Sequence, residues 1–214
     1  YAQVRNGFAK LTPNSPPKEI KAAALKLRQV CTGTATAGAS FDSSGKFDWI
    51  MHQLQNDWAD NKIVVFNNWK SSIAALEKRL DSADIGYVTM TSDQNNQKQR
   101  EQDRQKFWDD KNCRVLIGTT AIEKSLNLQC ANIQVNVDML YNPSRHQQLA
   151  GRVHRVGSIH DEAWVFSLLT KDTVEEGVMK MLQQKQAISD HVFDDNSEIF
   201  EKLTTRELFN LIRS

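Results

Sequence analysis

The stretch Gln148-Leu149-Ala150-Gly151-Arg152-Val153-His154-Arg155 holds the side chains best suited to chemistry. Successive residues of a helix turn by about 100°, so Gln148, Arg152 and Arg155 would share one face within roughly 60°. Leu149, Val153 and Val156 would form a second, apolar face that packs inward. Two guanidiniums and an amide would then stand together on a packed support. Arginine stays charged, and its planar fork matches phosphate oxygens. A nucleoside triphosphate site needs such a pair opposite its phosphate loop. The same residues also fit a solvated basic helix face, so the context must decide.

The elements that would position this helix alternate. Ile63–Phe66 is a short apolar run, read as a buried strand, and Ile73, Leu76 and Leu80 mark a helix. Strands follow at Ile85–Met90, Val115–Ile117, Ala131–Asp138 and Ala163–Leu169. Between them come a charged helix, Gln97–Trp108, anchored by Phe107 and Trp108, and the arginine helix, Ser144–Arg155. Strand–helix alternation predicts a parallel sheet covered on both faces, with ligands beyond the carboxyl ends of its strands. Upstream, residues 18–31 read as a helix, and Phe47, Ile50, Met51, Leu54 and Trp58 recur at helical spacing. Downstream, Thr173 with Glu176 reads as a capping box, and Ser197 to Ile212, with Thr204 as a cap, reads as a closing helix on the lobe or a short segment that docks elsewhere.

The blocks in this order resemble the C-terminal RecA-like lobe of Swi/Snf-type superfamily 2 helicases, over about residues 25–193. Gln148 to Arg155 is similar to motif VI (Q-x-x-G-R-x-x-R). Arg114 to Ala121, continuing to Ser125-Leu126-Asn127-Leu128, resembles motif V. Asp138 with Tyr141-Asn142-Pro143, and His154 to Ser158, resemble the blocks that flank motif VI in that branch. Lys62 to Leu80 resembles motif IV. Met90 to Asp93 with Arg100 resembles motif IVa.

The resemblance implies roles. Arg152 and Arg155 would be catalytic, as arginine fingers that stabilise charge at the γ-phosphate. Gln148, Ser125 and Glu123 would join them on the nucleotide. Asn67, Thr91, Ser92, Thr119, Thr120 and Lys124 would touch a nucleic-acid backbone. Asn67 fits ordinary loop polarity equally well, Ser92 or Asp93 fits a helix cap, and Arg100 a tie between helix and loop. Asp138 reads as a sheet-end acid that orients motif V or VI. Motif V departs from the family: Ala121-Ile122-Glu123-Lys124-Ser125 stands where the branch has a glycine-rich run, and glycines permit close backbone approach.

Composition sets outer bounds. The chain has 214 residues and a formal net charge of +1, so nucleic-acid contact must be local or shared with another lobe. Three cysteines without a CxxC spacing suit an intracellular, reducing compartment, cytoplasm or nucleus, and give no metal site. No apolar run approaches the ~20 residues of a membrane span. The start at Tyr1 reads as a piece of a longer protein.

Two motifs are decoys. Gly33 to Ser40 has the glycine spacing of a phosphate loop, but Ala39 stands where the lysine is needed, so it reads as a flexible linker. Asp161-Glu162-Ala163-Trp164 precedes its strand rather than following one, so it reads as a polar turn.

The expectation is therefore an α/β, RecA-like parallel sheet over residues 46–193. A helical extension and linker at 1–45 and a helical tail at 194–214 flank it. ATP is the implied cofactor, with Mg2+ held mainly by a first RecA-like lobe of the same protein. Double-stranded DNA is the implied track, with RNA as the alternative, and no membrane is involved. The isolated lobe is expected to be inactive. A strand-unwinding helicase lobe and a non-catalytic docking module are the competing readings.

Overall fold

The computed structural model describes residues 1–91, 97–119, 128–138, 160, 162–188 and 203–213. The chain divides into two compact units: Gly45–Asp138 with His146–Leu168, and Tyr1–Ser44 with Met139–Arg145 and Leu169–Ser214.

The first of these is built on five strands, β1 (Ile63–Phe66), β2 (Gly86–Met90), β3 (Cys113–Gly118), β4 (Ile133–Asn136) and β5 (Trp164–Ser167). Every pairing is parallel, and the order is β2-β3-β1-β4-β5. All residues of β1 and β4 are buried, and all but Arg114 of β3. Successive side chains of a strand point to opposite faces, so both faces of the sheet centre are covered. That is why these strands are legible as continuous apolar runs. Among the described residues the edge strand β5 has one neighbour, and it leaves Trp164 56% exposed.

Among the described residues three helices belong to this unit, one before the first strand and two that connect strands. Gly45–Gln55 (α3 in chain order) buries Phe47, Ile50 and Leu54, and Lys70–Ser82 (α4) buries Ile73, Leu76 and Leu80. Gln97–Asp109 (α5) has only Phe107 buried. Lys62 at the start of β1 donates to the carbonyls of Phe107, Asp110 and Cys113, which ties the end of α5 to the sheet. Trp49, Trp58 and Phe166 form a ring cluster with centroids 5.2 to 5.6 Å apart, fastening α3 to β5.

The other unit is helical. Ala2–Gly7 (α1) and Pro17–Thr32 (α2) come from the start of the chain, Val174–Ile188 (α6) and Thr205–Arg213 (α7) from its end. Ile20, Ala24, Leu27, Val174, Val178, Leu208 and Ile212 share one core. The Tyr1 hydroxyl accepts from the Val174 backbone N–H at 2.8 Å. Thr204 and Glu207 form a full capping box: each side chain accepts the other's backbone N–H, at 3.3 and 2.8 Å. The box expected at Thr173 is displaced by one residue. Glu176 accepts from Asp172 rather than Thr173, while the Thr173 hydroxyl still caps by accepting from Glu175 N at 3.3 Å and donates to Thr170 O at 2.6 Å.

The stretch at 33–44, expected as a linker, is closed on itself. Thr34 N donates to Ser43 O, and the Thr34 hydroxyl lies between Phe41 O and Ser43 N. Among the described residues, no helix is long and apolar enough to cross a membrane.

Candidate functional site

Phe66, Gly118 and Met90 lie in register at the ends of three adjacent strands. The residues that follow them, Asn67, Thr119 and Thr91, therefore line one edge of the sheet. Their backbones extend the ladder by one step: Asn67 N donates to Gly118 O at 2.9 Å and Thr119 N to Met90 O at 3.3 Å. Three residues assigned from sequence to a nucleic-acid backbone thus stand side by side, at the end where parallel α/β sheets bind ligands.

Each has a distinct environment. Asn67 is fully buried. Its Oδ1 accepts from Trp69 N at 3.1 Å and its Nδ2 donates to Ser72 Oγ at 2.6 Å. Both halves of the amide are spent on the loop between β1 and α4, so Asn67 shapes that loop from inside. Asn68, Trp69 and Lys70 are the residues it displays. Thr119 is buried, and its hydroxyl has no hydrogen-bond partner among the described residues. A buried hydroxyl without a partner is costly. Thr91 supplies its carbonyl to the guanidinium of Arg100 at 3.3 Å, the tie between α5 and its preceding loop that the sequence suggested.

The fourth strand contributes an acid. Asp138, two residues beyond β4, is buried and accepts from Asn68 N at 2.6 Å. It holds the loop after β1; the residues of motifs V and VI that the sequence reading offered as its other partners lie mostly outside the described residues. The preceding residue is pinned on both sides: Val137 N donates to Phe66 O at 2.9 Å, and Lys46 Nζ donates to Val137 O at 2.7 Å. Sequence reasoning passed over Lys46. It is buried at the start of α3, and a lysine in an amphipathic helix carries no signal of burial.

Ser92, Thr120, Glu123, Lys124, Ser125, Gln148, Arg152 and Arg155 lie outside the described residues, so the expected meeting of the two arginines on one helix face lies outside them too. The glycine loop dismissed as a decoy offers no phosphate cradle. Ala37 N and Ala39 N donate to Thr34 O and Gly38 N to Ala35 O, which turns three successive amides inward. Lys26 holds the Ala37 carbonyl. Strand β5 begins at Trp164, after Glu162 and Ala163, so these residues precede a strand, as read for the polar turn.

The sequence profile of the helicase conserved C-terminal domain matches residues 45–157. The chain is 30% identical over 175 residues to the ATP-dependent helicase FUN30 of Saccharomyces cerevisiae, covering 79% of this chain and 15% of that protein. It resembles the crystal structure of the C-terminal part of the Fun30 ATPase domain at 25% identity and a TM-score of 0.66, covering 80% of this chain and 52% of that one. The Sulfolobus solfataricus SWI2/SNF2 ATPase core in complex with dsDNA matches with a TM-score of 0.74 at 22% identity, over 98% of this chain and 45% of that one. This last likeness is one of fold, a RecA-like lobe. The chain spans a quarter or less of the length of the curated relatives it matches.

Proposed function

This chain belongs to the helicase conserved C-terminal domain family, as a C-terminal RecA-like lobe of the Swi/Snf-type superfamily 2 branch, and on that premise we propose that it works as the second ATPase lobe of a double-stranded DNA translocase. The observation that carries the reading is the shared edge. Asn67, Thr91 and Thr119 stand at the carboxyl ends of three adjacent parallel strands, and motif V begins at that edge. DNA would be held there by backbone amides and short polar side chains directed to phosphate, so contact is largely independent of base sequence. In this proposal Ser92, Thr120 and Lys124 extend the same contact, and Asn67 serves it by shaping the loop.

ATP would lie between this lobe and a first RecA-like lobe of the full protein. Arg152 and Arg155 would reach its phosphates with Gln148 beside them, and Ser125 and Glu123 would face the nucleotide. These residues fit ATP by donor chemistry, two permanent cations and an amide for a polyanion. Mg2+ is assigned to the first lobe. ATP supplies the free energy of phosphoryl transfer, and this chain supplies charge stabilisation and closure. An intracellular compartment, cytoplasm or nucleus, belongs to the same proposal. The unwinding and docking-module readings predict, respectively, strand displacement on a duplex with an overhang and indifference to loss of the arginines.

The test uses the full-length protein. Arg152→Ala and Arg155→Ala should each lower DNA-stimulated hydrolysis by ~10³–10⁵ while circular dichroism and thermal melting stay unchanged. A solvated basic face would leave turnover near normal, and that result would defeat the proposal. The isolated lobe should show no turnover above background.

A further inference from the structure

The helical unit carries a notch between the end of α1 and α7. Arg5, Asn6, Phe8, Ala9, Ile212 and Arg213 line it, and it encloses about 140 Å³. None of these residues is acidic, and two are arginines. Arginine stays charged, and its planar fork matches the oxygens of a phosphate. The volume is well below the ~300–1,000 Å³ of a pocket for a whole small molecule, so it suits one oxyanion group rather than a nucleotide.

Both guanidiniums are seated by the fold itself. Arg213 lies over the Phe209 ring at 5.6 Å, and its Nη2 donates to Ala9 O and Leu11 O at 2.9 and 3.0 Å. Its Nε and Nη1 make no hydrogen bond among the described residues. Arg5 lies over the Tyr1 ring at 6.0 Å, and the hydroxyl of that ring is fixed by Val174 N. Arg5 itself makes no hydrogen bond or ion pair among the described residues. Arg213 thus clips the chain after α1 to α7 with one nitrogen and keeps two unused, while Arg5 keeps its whole fork. Lys10, between the two clipped carbonyls, is exposed.

The surroundings are basic. Residues 1–41 hold six lysines and arginines against one acid, Glu19. Two of the six are occupied inside the fold: Lys26 holds Ala37 O, and Arg28 is buried. The whole chain has a formal net charge of only +1, so the excess is local. Local positive charge around a phosphate-sized notch suits a polymer of phosphates gripped without reading its bases.

We propose that the Arg5–Arg213 notch binds one phosphate of a nucleic-acid backbone, a contact of the helical unit in addition to the one at the strand ends. The choice of nucleic acid as the source of the phosphate rests on the function proposed above. Arg5 acts only on the ligand, whereas Arg213 binds it and also holds α1 to α7.

The experiment measures duplex DNA affinity of the full-length protein over a range of salt. Arg5→Gln should weaken binding about tenfold, equally on unrelated sequences. It should also reduce the slope of log affinity against log salt by about 0.9, the loss of one phosphate contact. Arg5→Lys, which keeps the charge but not the fork, should restore the slope and only part of the affinity. Melting should stay unchanged in both, because Arg5 bonds to nothing in the fold. An affinity and slope unmoved by Arg5→Gln overturn the inference and spare the function. A wild type without duplex affinity overturns both. Arginine modification by phenylglyoxal, read by mass spectrometry on the wild type, separates the sources of phosphate and decides if the variants fail to fold. Duplex DNA should protect Arg5; protection by a phosphoserine peptide and none by DNA overturns the inference, as does protection by neither.

Discussion

At the amino ends of the strands, long cations close the structure: Lys62 reaches three carbonyls, and Arg114 Nη2 donates to Leu54 O and Trp58 O at 2.8 and 2.7 Å. Burial lowers the affinity of the Arg114 guanidinium for its proton, while Asp60 partly offsets that. Gly86 packs so tightly there that a Cβ would lie 2.3 Å from Asn112 O. At the carboxyl ends of the same strands the polar groups are short: the Asn67 amide, the Thr119 hydroxyl and the Asp138 carboxylate. Lys46 and Arg100 also reach that edge, donating to the carbonyls of Val137 and Thr91. One end spends most of its donors on carbonyls of the fold, although the buried Arg114 Nε has no partner among the described residues. The other keeps a buried hydroxyl without a partner among the described residues. Long cations bonded to carbonyls thus predominate at one end of the sheet and short polar groups at the other, the end whose loops carry function in other α/β proteins.

The division has consequences that grade by size. Lys62→Met strips a cation from three carbonyls and should cost about 3 kcal/mol. At two to four degrees per kcal/mol for a domain of this size, melting should fall by roughly 6–12 °C, with hydrolysis per folded full-length molecule unchanged. A loss of turnover without a loss of melting temperature would erase the distinction between the ends. Gly86→Ala follows, at about 2 kcal/mol, because the obstructing atom is backbone and cannot swing aside. Chemical denaturation reads this as a lower midpoint with an unchanged slope.

Thr119→Val has the opposite sign. Removing an unpartnered buried hydroxyl should raise stability by up to about 1 kcal/mol while lowering DNA stimulation of hydrolysis. A destabilised variant with intact stimulation would make Thr119 a structural residue and carry it to the other side of the comparison.

The smallest effect belongs to Cys130, beside the amino end of β4. Burial pushes its thiol up to about 11, so about one in a thousand is ionised at pH 8. Alkylation of the folded protein at that pH should be correspondingly slow. Because the folded value is raised, the neutral thiol adds stability below about pH 9, and this is lost as pH climbs toward 11. Cys130→Ala should flatten that decline.

Much of the sheet was legible because a buried parallel strand is an apolar run with no alternation, and Ile63–Phe66 and Val115–Ile117 announce themselves that way. The Thr204–Glu207 box was foreshadowed by Thr204, since a cap acts over three residues. The inward turn of Asn67 was not legible. An asparagine after a strand has the same letters whether its amide meets a ligand or Ser72, and only the path of the loop chooses. Nor does the Asp138–Asn68 bond or the packing of α2 on α7 leave a periodic trace.

Local rules of period, capping and turn chemistry act within a few residues, and the sequence by itself determined what they govern: the elements, the parallel class of the sheet and the family. Strand order, the direction of Asn67, the burial of Lys46 and the clamp at Asp138 were decided by the tertiary structure. They arise between residues far apart in the chain, and their partners exist only once the hydrophobic core has closed and brought four strand exits to one edge.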